Sequence, residues 1–367
     1  MKRSSACSFI ALLVLAVSTA HAADLHQEGL SGLTVVIRPS NPLLHYNGRF
    51  NWKKPEAPSA SFPGSEVVIH FIGSELAAKL STSGKDEIQI VVDGRPESVL
   101  KLTNDPVLYL VGRDLGPGEH TAVLFKRTEA YYGSMTVHEL LLQAGSRLLP
   151  TPKILRNVEF IGDSITCGFG DEAANKDEPN SASNSNHYLS YAALAARQLG
   201  AEHISVSVSG IRLTEAKGLE SMPTVYRRMG PQKNDPPWDF ERGPIPDVVV
   251  INLGTNDFHF VDDLNAEEWE KSYNAFLDFI RAQRPDAHIF LANGPMMQLD
   301  PKLEHLRRWN RDVVEQRKAA GDTKLHLLDF EIQDPSDGFG SGWHPSIKTH
   351  EKMAARLVSA IRSATGW

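Results

Sequence analysis

Three segments of the chain each end in a side chain that could take part in acyl transfer. Ser164 follows the apolar run Val158–Ile161, and its hydroxyl becomes a nucleophile when a base lies within hydrogen-bond reach. Asn256 follows the apolar run Val248–Asn252, and its amide could donate to a negative charge that develops on oxygen. His344 lies in a glycine-rich loop before a proline, and the ordinary imidazole pKa of about 6.5 suits a general base.

The positions of these residues matter more than their types. Taken alone, Ser164 is explained equally well as a helix cap, Asn256 as a turn residue and His344 as a helix-entry residue. All three are predicted at the carboxyl ends of strands in one parallel sheet, where side chains distant in sequence converge. A further predicted strand ends at Gly210, whose N–H could be a second oxyanion donor. The pattern therefore predicts a serine hydrolase site rather than four unrelated turns.

The chain after residue 152 alternates predicted strands and helices, which is typical of a doubly wound α/β domain. The predicted strands are Val158–Ile161, His203–Val208, Val248–Asn252, His288–Ala292 and Lys324–Asp329. The predicted helices are Tyr188–Leu199, Glu267–Gln283, Leu303–Ala320 and Lys348–Ser363. The apolar strands indicate a parallel sheet with helices on both faces and a ligand crevice at its carboxyl edge.

The chain before residue 146 has short apolar runs separated by turn signals, which predicts a β-sandwich of jelly-roll-like type. The predicted strands are Leu33–Ile37, Val67–Ile72, Leu76–Leu80, Ile88–Val92, Val107–Val111, Thr121–Phe125 and Met135–Leu142. Asp93-Gly94 after an alternating run predicts a two-residue hairpin turn. The predicted divisions are a signal peptide at 1–22, a sandwich at 23–145 that could contact carbohydrate, a linker at 146–152 and an α/β domain at 153–367.

The amino terminus has the parts of a secretory signal peptide: Lys2 and Arg3, the apolar run Phe9–Val17 and the small-residue end Ala20–Ala22. We therefore expect a secreted or periplasmic protein. The sequence does not indicate its oligomeric state. The formal net charge of −7 argues against nucleic acid or an anionic membrane as a partner. Beyond the signal peptide Cys167 is the only cysteine, and no metal-binding spacing occurs, so we expect no disulfide, metal or cofactor.

The strand-end segments resemble the four sequence blocks of SGNH (GDSL-type) hydrolases. These segments are Gly162-Asp163-Ser164, Ser209-Gly210, Gly254-Thr255-Asn256-Asp257 and His344-Pro345. A β-sandwich placed before such a domain resembles carbohydrate esterase family 2, the secreted acetyl xylan esterases and related acetyl esterases of plant cell-wall polysaccharides.

This resemblance implies roles for individual residues. Ser164 would be the nucleophile and His344 the base. The N–H groups of Ser164 and Gly210 and the side chain of Asn256 would form the oxyanion hole. Arg212 departs from the family pattern, because it stands where the Ser-Gly-x-Gly motif has its second glycine.

The third member of a catalytic triad is a second departure. The family usually places an Asp two or three residues before the histidine, and those positions here are Gly342 and Ser341. Similarity to family members with a Ser–His dyad implies that a backbone carbonyl holds His344 Nδ1–H, which the chemistry allows. Asp334 or Asp337, further upstream, is the alternative third member.

We therefore predict a serine esterase that removes O-acetyl groups from polysaccharides or oligosaccharides of the xylan or glucomannan type. The alternatives are a GDSL lipase or thioesterase acting on short acyl esters, and a glycan-binding protein without catalysis. Aromatic faces suit sugar rings, so a substrate rim is predicted from Trp238, Trp309, Trp343 and His259. For Trp309 and Trp343, core packing is the favoured explanation.

Overall fold

Residues 33–148 fold into two antiparallel sheets of six strands each. The first contains β1 (Leu33–Ile37), β3 (Phe50–Asn51), β4 (Ser59–Ala60), β6 (Leu76–Thr82), β9 (Val107–Gly112) and β11 (Met135–Gln143). The second contains β2 (His45–Asn47), β5 (Glu66–Ile72), β7 (Glu87–Val92), β8 (Arg95–Lys101), β10 (Glu119–Lys126) and β12 (Arg147–Leu148). The computed structural model describes residues 32–215, 218–261, 263–297 and 301–367, so the predicted signal peptide lies outside the described residues.

The core of this first domain lies between the two sheets. Along β5, Val67, Ile69 and Phe71 are fully buried, while the residues between them are partly exposed. Leu80 of β6 and Leu140 of β11 belong to the same cluster and come from the other sheet. Side chains that alternate in this way place one face of a strand on a core. The predicted antiparallel domain is confirmed.

Two local features of this domain bear on the sequence predictions. Asp93 and Gly94 join β7 to β8 with φ angles of 48° and 77°, as a type I′ hairpin turn requires. Arg147 and Leu148 pair with β5, although the linker was predicted to span 146–152. The sandwich therefore extends through Leu148, because the backbone groups of these two residues complete its second sheet.

The second domain contains a five-stranded parallel sheet with the order β14-β13-β15-β16-β17. Its strands are β13 (Asn157–Gly162), β14 (Glu202–Ser207), β15 (Val248–Asn252), β16 (His288–Asn293) and β17 (Leu325–Asp329). Its helices are α1 (Ser164–Cys167), α2 (Tyr191–Leu199), α3 (Met222–Val225), α4 (Thr255–Phe260), α5 (Ala266–Gln283), α6 (Pro301–Ala319) and α7 (Ile347–Thr365). Short 3₁₀ helices span Ala130–Tyr132, His187–Leu189, Pro335–Asp337 and Ser341–Trp343.

The helices cover the parallel sheet on both faces. Trp269 of α5 and Leu306 of α6 pack on the face that carries Ile251. Tyr191 of α2 and Leu357 of α7 pack in the cluster that fills the other face. The predicted α/β domain is thereby confirmed. Within the described part of the chain, no helix has the combination of length and apolarity that crossing a bilayer demands.

Arg49 of the sandwich joins the two domains. Its side chain is 1% exposed and donates to the main-chain carbonyls of Tyr226 and Arg228, both at 2.6 Å. The guanidinium lies 4.8 Å from the Tyr226 ring centre and 5.0 Å from that of Trp238. Aromatic faces stabilise a cation held in this way, so the segment after β14 is tied to the sandwich.

Candidate active site

The strand order brings the predicted site residues to one edge of the sheet. β13 and β15 are neighbours, and Gly162 at the end of the first lies opposite Asn252 at the end of the second. A Cβ at Gly162 would lie 2.1 Å from Thr166 Oγ1, so only glycine permits this close turn into α1. Ser164 and Asn256 therefore follow adjacent strand ends.

Ser164 is the first residue of α1 and is 7% exposed. Its Oγ lies 2.8 Å from His344 Nε2. Phe169 packs on the imidazole with a ring-centre distance of 4.3 Å, and its N–H donates to the Ser164 carbonyl at 3.1 Å. The predicted pair of Ser164 and His344 is therefore in hydrogen-bond contact, with an aromatic ring against the histidine.

The other ring nitrogen of His344 is held by the main chain. His344 Nδ1 donates to the Ser341 carbonyl at 2.9 Å. Because a carbonyl only accepts, Nδ1 carries the proton and Nε2 is free to accept the Ser164 proton. Burial lowers the pKa of His344 to about 4, against the opposing effect of hydrogen bonds to the backbone of Ser341 and Gly342. The imidazole is therefore neutral at neutral pH.

Neither upstream carboxylate contacts the imidazole. Asp334 accepts a hydrogen bond from the Ser336 N–H at 2.8 Å as the cap of a 3₁₀ helix. Asp337 forms an ion pair with Lys352 of α7. Both carboxylates are thus engaged elsewhere, and the group that contacts His344 Nδ1 is the Ser341 carbonyl.

Two backbone N–H groups follow the ends of the neighbouring strands β13 and β14. Those of Ser164 and Gly210 meet no acceptor among the described residues. Gly210 has a left-handed φ of 77°, and a Cβ there would meet no described atom within 4 Å. An oxygen placed near both groups would receive two donors without displacing a hydrogen bond.

The Asn256 amide lies in the same region but is already hydrogen-bonded. Its Nδ2 donates to the Ile211 carbonyl at 3.0 Å and to Asp163 Oδ2 at 3.2 Å. Burial raises the pKa of Asp163 to about 7, and its other oxygen accepts from the Ile165 N–H at 3.0 Å. Both Nδ2 hydrogens thus have protein acceptors, so donation to an oxyanion would share or replace one of these two bonds.

The predicted rim residues occupy different surroundings. Trp343 is 53% exposed and adopts a left-handed φ of 67° in the turn before His344. His259 is exposed at the end of α4. Trp238 instead lies over Arg49 at the domain contact. Trp309 is 5% exposed among Trp269 and other residues of the core, so its rim assignment is corrected: its side of α6 faces the sheet.

Three residues that contact the site have no role predicted from the sequence. Phe169 and Asp163 contact the site as described above, and Lys176 presents its carbonyl to the Gly342 N–H at 2.9 Å. Phe169 and Asp163 lie near the nucleophile in sequence, which is the one signal that could have drawn attention to them. Cys167 is a buried free thiol. In the part of the chain that the structure describes, no group of three or more His, Cys, Asp and Glu side chains could hold a metal ion.

Comparisons with known proteins agree with this fold. Residues 46–152 match the family described as carbohydrate esterase 2 N-terminal, and residues 160–352 match the GDSL-like lipase/acylhydrolase family. A cellulase/esterase of Acetivibrio thermocellus is 38% identical over 333 residues, which are 89% of this chain and 40% of that protein. An acetylxylan esterase/glucomannan deacetylase of Cellvibrio japonicus is 26% identical, over 97% of this chain and 98% of that protein.

A solved structure extends the likeness to the fold. A family two carbohydrate esterase from Clostridium thermocellum, in complex with cellohexaose, is 36% identical with a TM-score of 0.83. The match covers 88% of this chain and 99% of that chain. A β-sandwich followed by a parallel-sheet domain with a Ser–His pair at its strand ends defines a hydrolase of the SGNH type. More specifically, the chain belongs to family 2 of the carbohydrate esterases, which confirms the resemblance seen in the sequence.

Proposed function

We propose that this protein is a secreted serine esterase that removes O-acetyl groups from plant cell-wall polysaccharides of the xylan or glucomannan type. The observation that carries the proposal is the 2.8 Å contact of Ser164 Oγ with a neutral His344 whose Nδ1 is held by the Ser341 carbonyl. The names of the relatives support the acetylated substrate. The signal-like residues 1–22 support export.

In the proposed reaction Ser164 and His344 act as a dyad. Ser164 Oγ attacks the acetyl carbonyl carbon while His344 Nε2 takes the hydroxyl proton. The carbonyl oxygen becomes an oxyanion that accepts from the Ser164 and Gly210 N–H groups and from Asn256. His344 then returns the proton to the departing sugar oxygen, which leaves an acetyl-enzyme. Water repeats the sequence and releases acetate and the free serine.

Substrate binding at the rim belongs to the same proposal. Trp343 stands directly before His344 and is half exposed, so its ring could stack on a sugar next to the acetyl ester. The related structure is in complex with cellohexaose, which supports a linear polysaccharide as the substrate here. His259 stays a candidate for the rim because it is exposed near Asn256.

The test is acetate release from acetylated xylan and acetylated glucomannan by the purified protein. The wild type should release acetate and should hydrolyse p-nitrophenyl acetate faster than the octanoate. Ser164→Ala should lose several orders of magnitude in kcat. The control is Ser336→Ala, which changes an exposed serine in the loop before His344 and should be fully active.

Two results would contradict the proposal. Faster cleavage of the octanoate would favour the lipase or thioesterase alternative. Lack of both hydrolysis and fluorophosphonate labelling in a folded wild type would favour a glycan-binding protein.

A further inference from the structure

The peptide group between Ser341 and Gly342 takes part in two hydrogen bonds that lie in line with His344. Its carbonyl accepts from His344 Nδ1, and its N–H donates to the Lys176 carbonyl at 2.9 Å. Hydrogen bonds linked through one peptide group polarise each other, which makes this carbonyl a better acceptor. The group that orients the base therefore depends on the position of Lys176.

Lys176 belongs to the 169–186 loop, which connects α1 to the 3₁₀ helix His187–Leu189. The same loop binds the previous peptide as well, because the Ser341 N–H donates to the Gly170 carbonyl at 2.9 Å. Gly170 has a left-handed φ of 57°, and a Cβ there would lie 2.4 Å from Ser341 Cβ. Two successive N–H groups beside the orienting carbonyl are thus fixed by one loop in close backbone contact.

A chain of side-chain hydrogen bonds connects this loop to the sandwich. Tyr132 of the sandwich accepts from Asn180 Nδ2 through its hydroxyl at 2.9 Å. Asn180 Oδ1 accepts from Ser185 Oγ at 2.7 Å, and Ser185 Oγ accepts from the Gly170 N–H at 3.3 Å. Three hydrogen bonds thus lead from Tyr132 to Gly170, and the Gly170 carbonyl leads to Ser341.

Arg127 makes a second connection from the sandwich to the loop. Its buried guanidinium forms an ion pair with Glu172 and donates from Nε to the Ser185 carbonyl at 3.4 Å. Its Nη2 also reaches the Ser183 carbonyl at 3.5 Å. Arg127 thus holds both the beginning and the end of the loop with one planar group.

Tyr132 itself is rigidly held within the sandwich. Its carbonyl accepts from the Lys85 N–H at 2.6 Å, and a Cβ at Gly84 would lie 2.1 Å from that carbonyl oxygen. Nearby, Lys126 and Asp86 form a fully buried ion pair at 2.7 Å. The hydroxyl that meets Asn180 therefore has a defined place relative to the second domain.

We propose that Tyr132 of the sandwich is a positioning residue for catalysis, acting on His344 through the 169–186 loop and the Ser341–Gly342 peptide, with Arg127 as a second anchor of that loop. The sandwich is then part of the catalytic apparatus rather than an attached binding module. The loop supplies the support that a carboxylate side chain gives in a triad. This inference rests on the proposed dyad of Ser164 and His344.

The test compares Tyr132→Phe and Asn180→Ala with Tyr46→Phe, all in the full chain. Tyr132→Phe removes only the hydroxyl that accepts from Asn180, and Asn180→Ala removes both side-chain bonds. Tyr46→Phe is the matched control, because the Tyr46 hydroxyl donates to the Pro39 carbonyl within the sandwich. The measurements are kcat and KM on p-nitrophenyl acetate, the melting temperature, and the low-field proton NMR signal of His344 Nδ1–H.

We expect Tyr132→Phe to lower kcat about fivefold and Asn180→Ala about twentyfold, since each lost hydrogen bond loosens the base. KM should stay unchanged, and the Nδ1–H signal should broaden as its exchange with water becomes faster. Tyr46→Phe should match the wild type in kcat, KM and the NMR signal, and any change should be confined to the melting temperature. A purely structural role would lower the melting temperature and leave kcat and the NMR signal of the folded protein unchanged.

Two outcomes separate this inference from the proposed function. If the wild type hydrolyses acetyl esters and both variants keep kcat within twofold with an unchanged signal, the positioning role is wrong and the esterase assignment stands. If the folded wild type has neither activity nor an Nδ1–H signal that disappears in His344→Gln, the dyad itself is wrong.

Discussion

The main-chain carbonyl oxygen of Ser341 lies 2.9 Å from His344 Nδ1, the ring nitrogen that does not face Ser164. A neutral carbonyl can fix the tautomer and orientation of an imidazole as a carboxylate does, but it brings no negative charge to stabilise the imidazolium. Burial also lowers the pKa of His344, to about 4. The imidazole is therefore oriented and neutral without contact from a side-chain carboxylate.

The first prediction concerns the two upstream carboxylates. Asp334→Asn and Asp337→Asn should each keep at least about a tenth of wild-type kcat, because the Ser341 carbonyl already selects the tautomer. In serine proteases, replacing the triad Asp by Asn lowers kcat about 10⁴-fold. Melting curves serve as the control, since Asp334 caps a turn and Asp337 pairs with Lys352. A thousandfold loss in one well-folded variant would make that residue a third member.

A second prediction follows from the buried imidazole. Only neutral His344 accepts the Ser164 proton, so kcat/KM should rise with pH around the His344 pKa of about 4 and be level from about pH 6 to 8. Burial is the main cause of the low pKa, so Phe169→Ala should move the midpoint upward. Phe339→Ala is the control, because Phe339 packs on Trp343 instead. A wild-type midpoint at 6.5 or above would show that burial has no such effect.

The third prediction concerns the oxyanion hole. Asn256→Ala should lower kcat by about 10²–10³-fold with little change in KM, as expected when a donor to the transition-state oxyanion is lost. Asn265→Ala is the matched control, because Asn265 caps α5 by accepting from the Glu268 N–H at 3.0 Å. That control should lower the melting temperature and leave kcat unchanged. Equal kcat for wild type and Asn256→Ala would remove Asn256 from the oxyanion hole.

Strong local patterns account for the parts of the fold that the sequence predicts. Asp93-Gly94 needs two positive φ angles, and the flanking runs alternate, so this hairpin follows from local chemistry. The neighbouring strand β8 was missed, because Arg95, Pro96 and Glu97 give a polar edge strand no apolar period. Strands of two or three residues, such as Phe50–Asn51, are too short for any period to show.

The candidate site likewise has residues that the sequence predicts and residues that it does not. Ser164 and Asn256 are predictable because each follows an apolar strand and a glycine, and topology alone brings adjacent strand ends together. The sequence offers two roles for Trp309, and Leu306 and Val313, which share its buried face at helical spacing, favour the core. Tyr132 and Asn180 form a hydrogen bond between the two domains. In the sequence both are polar residues outside the predicted strands and helices, and no local pattern indicates that they meet.

The last prediction concerns acid stability and the histidines at the domain contact. His187 Nδ1 donates to the Thr166 carbonyl at 2.8 Å, so its Nε2 accepts from His203 Nε2 at 2.9 Å. Burial lowers the pKa of His203 to about 3. Between that value and the ordinary value of about 6.5 the unfolded chain binds the extra proton, so stability falls as pH decreases.

Between pH 7 and pH 5, His203 alone should reduce the free energy of unfolding by about 2 kcal/mol. The His203→Gln variant keeps a donor for His187 but has no group at this position that gains a proton. Its free energy of unfolding should therefore fall less than that of the wild type between pH 7 and pH 5, by about 2 kcal/mol. Urea unfolding at the two pH values measures the difference. The control is the surface variant His259→Gln, which should follow the wild type at both. An equal acid loss in wild type and His203→Gln would mean that His203 stays neutral in the unfolded chain or titrates alike in both states. The domain contact would then owe its acid sensitivity to other groups.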